Sequence, residues 1–536
     1  MTIIGFYHPF CNGGGGGERV LWKLIDTLAK RSQTIIDQRS IASDDGELYS
    51  DELYSDESDV EELDDEGNVL VQSPKSKNNN NSNISASSTT TTPPTSIIIY
   101  TCESATPEEI FANVFKKFQI LIPKPTILPI QFVYIKNGKE LLDANSYKRF
   151  TMIGQSVGSM IFAYRGLTSF LNPTLPDTSN ANTPDIFFDT TGAAFTYPVS
   201  YFLNRKCKIY TYTHYPTIST DMLKLVYSRR PNFNNEVSDQ KSSASIILFT
   251  FCKLIYYLGF TLCYALAGSC ASLVMVNSSW TCNHIQKIWR LAPNPNVVFP
   301  PCDVKGFSIL DVNKKRKNYV LSIGQFRPEK DHDLQLRAFA LLVNKDGGIM
   351  LKKNKDLRLV LIGGCRDEGD EGRVAKLRET AVELNIGELV KFEINQPYSV
   401  LKEYLAVSSI GIHTMWNEHF GIGIVEMMAA GLVVVANNSG GPKEDIVRPL
   451  LVDGVNSRIT NPLLLEKREG GGSNTSSSLT GFLAKSPEEY ADKMEQILNY
   501  SLKDIRLIRE NGRKQSFVFS DEEFDFRINE LLEGRL

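Results

Sequence analysis

The segment N-E-H-F-G-I-G-I-V-E, residues 417–426, holds Glu418 and Glu426 with seven residues between them, directly behind the apolar run IGIHTM. The run predicts a strand, and Gly421 and Gly423 predict the start of a helix that carries Glu426. Backbone amides at such a start can donate to phosphate or sugar oxygens, and Glu426 can accept from a ribose or sugar hydroxyl. Two glutamates at this spacing are usually just solvated; the strand before them and the glycines between them favour a ligand. In SIGQFRPEKDHDLQLRAF, residues 322–339, Arg327 and Lys330 stand between a strand end and the next helix. Two cations there can neutralise a departing pyrophosphate, arginine as a fork and lysine as a point charge, unless they are a solvated loop pair. The stretch NNSGGPKEDIV, residues 437–447, repeats the device with Gly440 and Gly441 before Pro442, and is expected to face the same ligand.

Near the start, FYHPFCNGGGGGERVLW places Gly13, Gly14, Gly15, Gly16 and Gly17 between an apolar strand and a helix. Glycines there let backbone N–H groups approach a ligand closely, although a flexible turn would use them too. No Lys-Ser or Lys-Thr follows the last glycine and no register reads G-x-G-x-x-G, so neither a Walker loop nor a dinucleotide fingerprint is present. His214, in YTYTHYPTIS, ends another apolar run; it is either structural or a donor to a sugar hydroxyl. The nine cysteines form no C-x-x-C pair and no Cys/His cluster at zinc spacing. They read as free thiols in a reducing compartment, and neither a metal nor a cofactor is expected.

The elements that must position these residues alternate. Strand-like runs (TIIGFYH, KIYTYTH, ASLVMVN, YVLSIGQ, RLVLIGG, LVKFEI, LVVVANN) are followed by amphipathic stretches, the pattern of parallel sheets covered by helices on both faces. At 536 residues and 42% apolar content the chain is long enough for two such domains. The expected division is residues 1–300, a linker at 301–317 within proline-rich sequence, 318–505, and a helical segment at 506–536. Residues 39–96 and 466–480 are acidic, polar or glycine-serine-rich and are expected to be disordered insertions. With 58 basic against 62 acidic residues the chain shows no electrostatic footprint for nucleic acid. The N-terminus lacks the pattern of a secretory signal, so the catalytic mass is expected to face the cytosol. Residues 246–276 are apolar apart from Lys253, and either form a buried core helix and strand or meet a membrane with 246–268.

The motifs FYHPFCNGGGGGERVLW, DTTGAAFTYP, YTHYPTIS, MVNSSWT, PPCD, IGQFRPEKDH and WNEHFGIGIVEMMAAG together resemble the retaining glycosyltransferases of GT-B fold. Within these they are similar to the GDP-mannose-dependent α-1,2-mannosyltransferases of the dolichol-linked oligosaccharide pathway, nearly throughout the chain outside the two insertions. The resemblance implies an α/β fold of two facing Rossmann-like domains with the site in the cleft between them. It implies GDP-mannose as donor and a dolichol-pyrophosphate-linked oligosaccharide as acceptor, which receives its fourth and fifth mannoses at the cytosolic face of the endoplasmic reticulum. Other transferases of the pathway are possible partners. Carried over by motif, Arg327 and Lys330 would hold the pyrophosphate, Glu418 the donor mannose, Glu426 the ribose and His214 a sugar hydroxyl, while the glycine loop closes over the substrates. The family usually reads G-R-x-x-x-x-K; here Gln325 follows Gly324 and the arginine stands two places later. The alternatives are the same fold with another nucleotide sugar, an epimerase, or a non-catalytic nucleotide-sugar-binding subunit.

Overall fold

The computed structural model describes residues 1–48, 94–169, 184–219, 222, 243–450 and 478–536. Two sheets organise them. The first joins β1 (Thr2–Tyr7), β2 (Thr95–Thr101), β3 (Ile130–Tyr134), β4 (Ile186–Asp189), β5 (Lys208–Thr213), β6 (Leu273–Val276) and β7 (Asn296–Val297) in the order β3-β2-β1-β4-β5-β6-β7. The second joins β8 (Lys317–Ile323), β9 (Arg358–Gly363), β10 (Val390–Ile394), β11 (Ser408–His413), β12 (Val433–Asn437) and β13 (Phe482–Ala484) in the order β10-β9-β8-β11-β12-β13. All pairings between these strands are parallel. Each order reverses once, at β1/β4 and at β8/β11, and ligands of open parallel sheets bind beyond the strand ends at such a reversal.

Central strands are buried on both faces, so they read as continuous apolar runs rather than alternating ones. In β12 all five residues of VVVAN are buried. Neighbouring residues still serve opposite layers. Phe6 stacks on Phe188 at 5.1 Å beneath α1 (Gly16–Leu48), while Tyr7 and Phe187 join the opposite core with Tyr197 and Trp289. The runs named from the sequence occupy β1, β5, β6 and β8–β12. Residues 39–48, expected as the start of an insertion, continue α1, and Thr95 and Ser96 already belong to β2. Thr480, at the edge of the second expected insertion, is buried and donates to the Arg448 carbonyl at 2.7 Å. Residues 49–93 and 466–477 of the two insertions lie outside the described residues.

Four helices bear on the first sheet's outer surface and on the cleft: α2 (Thr151–Thr168), α3 (Thr196–Leu203), α4 (Ser243–Gly268) and α5 (Ser279–Ile288). The window Phe251–Gly268 of α4 has a mean hydropathy of 1.4 and is only 22% buried, which is not how a core helix sits. One face packs Phe260, Tyr264 and Ala267 inward against Phe195 and Trp289. The other exposes Phe251, Ile255, Leu258, Leu262 and Leu266, residues spaced three to four apart along one stripe. In the second half α6 (Ile422–Ala429) follows β11. The last helix, α7 (Asp521–Leu532), returns to the first half: Phe524, Ile528 and Leu532 enter the core under α1, and Arg19 and Lys23 pair with Asp521 and Asp525, each at 3.0 Å.

Candidate active site

Residues from both halves line one cavity of about 320 Å³. Gly16 and Gly17 open α1, His214 follows β5 and Asn277 follows β6; from the other half come Ile323, Lys330, His413 and the run Glu418–Gly423. Each lies at or beyond a strand's carboxyl end, where the two reversals in strand order leave room.

The polar centre is the Glu418 carboxylate. Its Oε2 meets Lys330 Nζ at 2.5 Å and His413 Nε2 at 3.1 Å, and its Oε1 accepts from the His419 amide at 3.2 Å. Burial opposes its ionisation, but the Lys330 charge and the His413 hydrogen bond prevail and hold it well below the usual carboxylate range. Burial lowers the His413 pKa, so a neutral ring donates from Nε2, and its Nδ1 has no hydrogen-bond partner among the described residues. Across the cavity, burial pushes His214 down to about 4 against a Thr190 backbone hydrogen bond, and its Nε2 is likewise unpartnered. A Cβ on Gly17 would lie 3.6 Å from that nitrogen, so this edge of the ring faces the start of α1. The site thus offers an anionic acceptor, a cation and two imidazole edges to a ligand rich in hydroxyls and phosphate.

The structure brings together Glu418, Lys330, His214, Gly16, Gly17, Gly421 and Gly423 from the residues expected by sequence. Others stand back from the cavity lining. Gly13 and Gly15 fold around Glu18, whose Oε2 accepts from the Gly15 amide at 2.9 Å, and Gly14 lies beside Lys117. Arg327 leans towards Glu329 at 3.7 Å. Glu426 sits one helical turn behind the lining near Arg19 and Asp303; burial raises its pKa to about 7, with Arg19 opposing. Gly440 and Gly441 are outside the cavity lining and pack on the Glu418 loop: Gly441 N donates to the Glu418 carbonyl at 2.8 Å, and a Cβ on Gly440 would lie 2.3 Å from that same oxygen. Their lack of side chains admits the Glu418 loop, which Ser439 fixes further by accepting from the Asn417 amide at 2.8 Å. Sequence reasoning missed His413 and His419. His413 ends a strand as His214 does, and the same argument would have found it.

Residues 1–57 and 82–289 match the family described as ALG11 mannosyltransferase N-terminus, and residues 310–450 match glycosyl transferases group 1. Over 98% of its length the chain is 37% identical to the GDP-Man:Man(3)GlcNAc(2)-PP-Dol alpha-1,2-mannosyltransferase of Mus musculus, and it covers 85% of that protein. The chain belongs to the ALG11 mannosyltransferase family. To the Dictyostelium discoideum protein of the same name it is 36% identical over 97% of its length, covering 82% of that relative. Its fold is that of GT-B structures: Anabaena HepE in complex with UDP and glucose superposes over the full length of both chains with a TM-score of 0.52 at 14% identity. The apo lipopolysaccharide outer core galactosyltransferase WaaB does so with 0.51 at 12%.

In this ALG11-family transferase the two halves are also joined by a buried carboxyl. Asp445 Oδ2 accepts from the Ser279 amide of α5 at 3.0 Å, and burial raises its pKa to about 7 despite that hydrogen bond. Its folded pKa lies above the unfolded value of about 3.9. The stability it contributes is therefore fully present below about pH 4 and is lost as pH rises through about 7. Asp445→Asn removes that titration. Its melting temperature, relative to the unsubstituted chain, should rise between pH 5 and pH 8, on the order of a few degrees, and scanning calorimetry across that range checks it.

Proposed function

We propose that the chain transfers mannose from GDP-mannose, with retention, in α-1,2 linkage onto a dolichol-pyrophosphate-linked Man3GlcNAc2 oligosaccharide, adding the fourth and fifth mannoses on the cytosolic face of the endoplasmic reticulum. The observation that carries this reading is the Lys330–Glu418–His413 group facing Gly16, Gly17 and His214 across one cavity. Among the described residues lining the cavity, Glu418 is the only carboxylate. A retaining glycosidase places two carboxyl groups about 5 Å apart, one of them a nucleophile, and no such pair lines this cavity among the described residues. An ionised glutamate tied to a lysine serves instead to hold donor hydroxyls. Retention then follows from attack on the face that the phosphate leaves, with that phosphate accepting the acceptor's proton while Lys330 stabilises its charge. His214 Nε2 takes a sugar hydroxyl, and Glu426 the ribose. Incubating the purified protein with GDP-mannose and a phytanyl- or dolichyl-linked oligosaccharide, then digesting with linkage-specific mannosidases, should give two α-1,2-linked additions. Transfer from UDP-glucose or UDP-N-acetylglucosamine instead, with calorimetric binding to match, would replace the donor; no transfer at all would leave a binding subunit.

A polyprenyl acceptor must be met at a bilayer. The exposed stripe of α4 supports contact there, as do the exposed Ile153, Val157 and Tyr164 of α2 and Phe202 of α3, with Phe150 at the start of α2 lying 5.6 Å from Tyr256 of α4. The four exposed cations Lys148, Arg149, Arg205 and Lys206 bracket α2 and α3 in sequence and suit anionic headgroups. The double substitution Leu258→Lys with Leu262→Lys should release the protein from anionic vesicles in flotation assays, by about tenfold or more for two lysines set on an apolar face. Transfer to a detergent-dispersed acceptor should persist.

A further inference from the structure

His419 is the residue next to Glu418, yet its ring packs on the other half of the molecule. Tyr215, just past β5, lies 4.1 Å from it between ring centroids with 30° between the planes. Trp280, in the first turn of α5, lies 5.4 Å away at 29°. Tyr215 and Trp280 are themselves parallel within 4° at 6.3 Å, so the imidazole rests against a two-ring platform built entirely from the first half. Trp280 is fixed from behind by His284, edge-on at 4.2 Å.

The backbone links this packing to the donor site. The His419 amide is the hydrogen-bond donor to Glu418 Oε1, whereas both groups on Oε2, Lys330 and His413, belong to the second half alone. Of the carboxylate's two oxygens, then, one is held whatever the halves do. The other is held by the 418–419 peptide, whose carbonyl accepts from Gly441 N within the second half and whose His419 side is seated by the ring stack on the first half. We propose that Tyr215, Trp280 and His419 form a clasp through which the seating of the two halves against each other orients the Glu418 carboxylate for transfer. His419 acts as a positioning residue: the ring supplies the stack and the backbone supplies the hydrogen bond, so the imidazole nitrogens are dispensable.

The kinetic arm of the test rests on the transferase reading. His419→Ala should lower kcat by about 10–100-fold with the GDP-mannose KM within about twofold, since misplacement rather than lost donor contact is the cause. His419→Phe, which keeps a ring, should recover most of the rate. Tyr215→Ala should resemble His419→Ala, and the double variant should be no slower than the slower single one, because one interaction is removed twice. A wild-type rate in His419→Ala, a His419→Phe as slow as the alanine variant, or losses that multiply in the double variant would each overturn the clasp. Hydrogen exchange of residues 417–423 without substrate decides it independently of catalysis. Faster exchange is expected in His419→Ala and Tyr215→Ala, and wild-type protection in His419→Phe. Unchanged exchange in both alanine variants sinks the clasp, whereas a folded wild-type chain that transfers no mannose sinks the functional reading alone.

Discussion

Lys330→Ala is expected to reduce mannose transfer by about 10²–10³-fold, the usual effect of removing one preorganised charge-stabilising group. The substitution takes away the cation proposed to meet the departing phosphate and leaves Glu418 buried with only His413 and an amide as partners. Burial, which Lys330 outweighs in the intact protein, would then dominate, and the Glu418 pKa would rise. The sign of the pH dependence follows. With Lys330 present the folded pKa is depressed, so the pair's contribution to stability is present above an unfolded value of about 4.3 and is lost only as pH falls through the folded one. Without Lys330 the residual activity should instead climb with pH as the carboxyl ionises. Losing one partner of a buried pair costs about 3–5 kcal/mol, and the partial exposure of the lysine side chain, 24%, brings the expectation nearer about 1–3 kcal/mol. Initial rates from pH 6 to 9 and a denaturant titration measure the two effects. A flat profile at wild-type rate would remove Lys330 from the mechanism.

Gly440→Ala should be nearly as damaging to activity by a different route. Its φ is +58°, a conformation that costs an alanine about 1–2 kcal/mol, and the added Cβ would lie 2.3 Å from the Glu418 carbonyl oxygen and 3.0 Å from the Asn417 carbonyl carbon. Those neighbours are backbone, so the loop carrying Glu418 must move as a unit. A displacement of about 1 Å in a positioning loop can remove about 100-fold in rate. A matched comparison is Gly372→Ala, inside the helix Glu368–Glu383 with nothing within 4 Å of the new atom. It should leave transfer intact and stabilise by about 0.5–1 kcal/mol. Equal rates in the two variants would show that the Glu418 loop tolerates displacement.

The alternation of apolar runs and amphipathic stretches was sufficient for two parallel sheets, because strands buried on both faces advertise themselves in sequence as VVVAN does in β12. Glu418, Lys330 and His214 were legible too, each standing just past such a run. What a glycine is for was not. Gly16 and Gly17 meet the cavity while Gly440 and Gly441 meet the backbone of residues 417–420, and nothing local distinguishes the two pairs, since both stand where a strand-following loop turns into a helix. The packing of His419 was equally hidden, because its ring contacts come from residues 215 and 280, which only the assembled halves bring near. Glu426, proposed to hold the ribose, also has Arg19 of the first half as a charged neighbour, which nothing local to it indicates. Local pattern reveals where strands end; it carries no information on which other strand end lies opposite.

The return of α7 to the first half sets an order on biogenesis. Phe524, Ile528 and Leu532 complete a core whose other members, from Ile4 to Val298, are translated long before them. At roughly 5–20 residues per second, that core waits on the order of tens of seconds for its last three side chains. During this interval the nascent first half lacks both its final apolar layer and the acid that pairs with Arg19, while Lys23 has Asp26 alone as its partner. A ribosome-bound chain ending before Asp521 should therefore be protease-sensitive across α1, and should become resistant only when the final helix emerges from the exit tunnel.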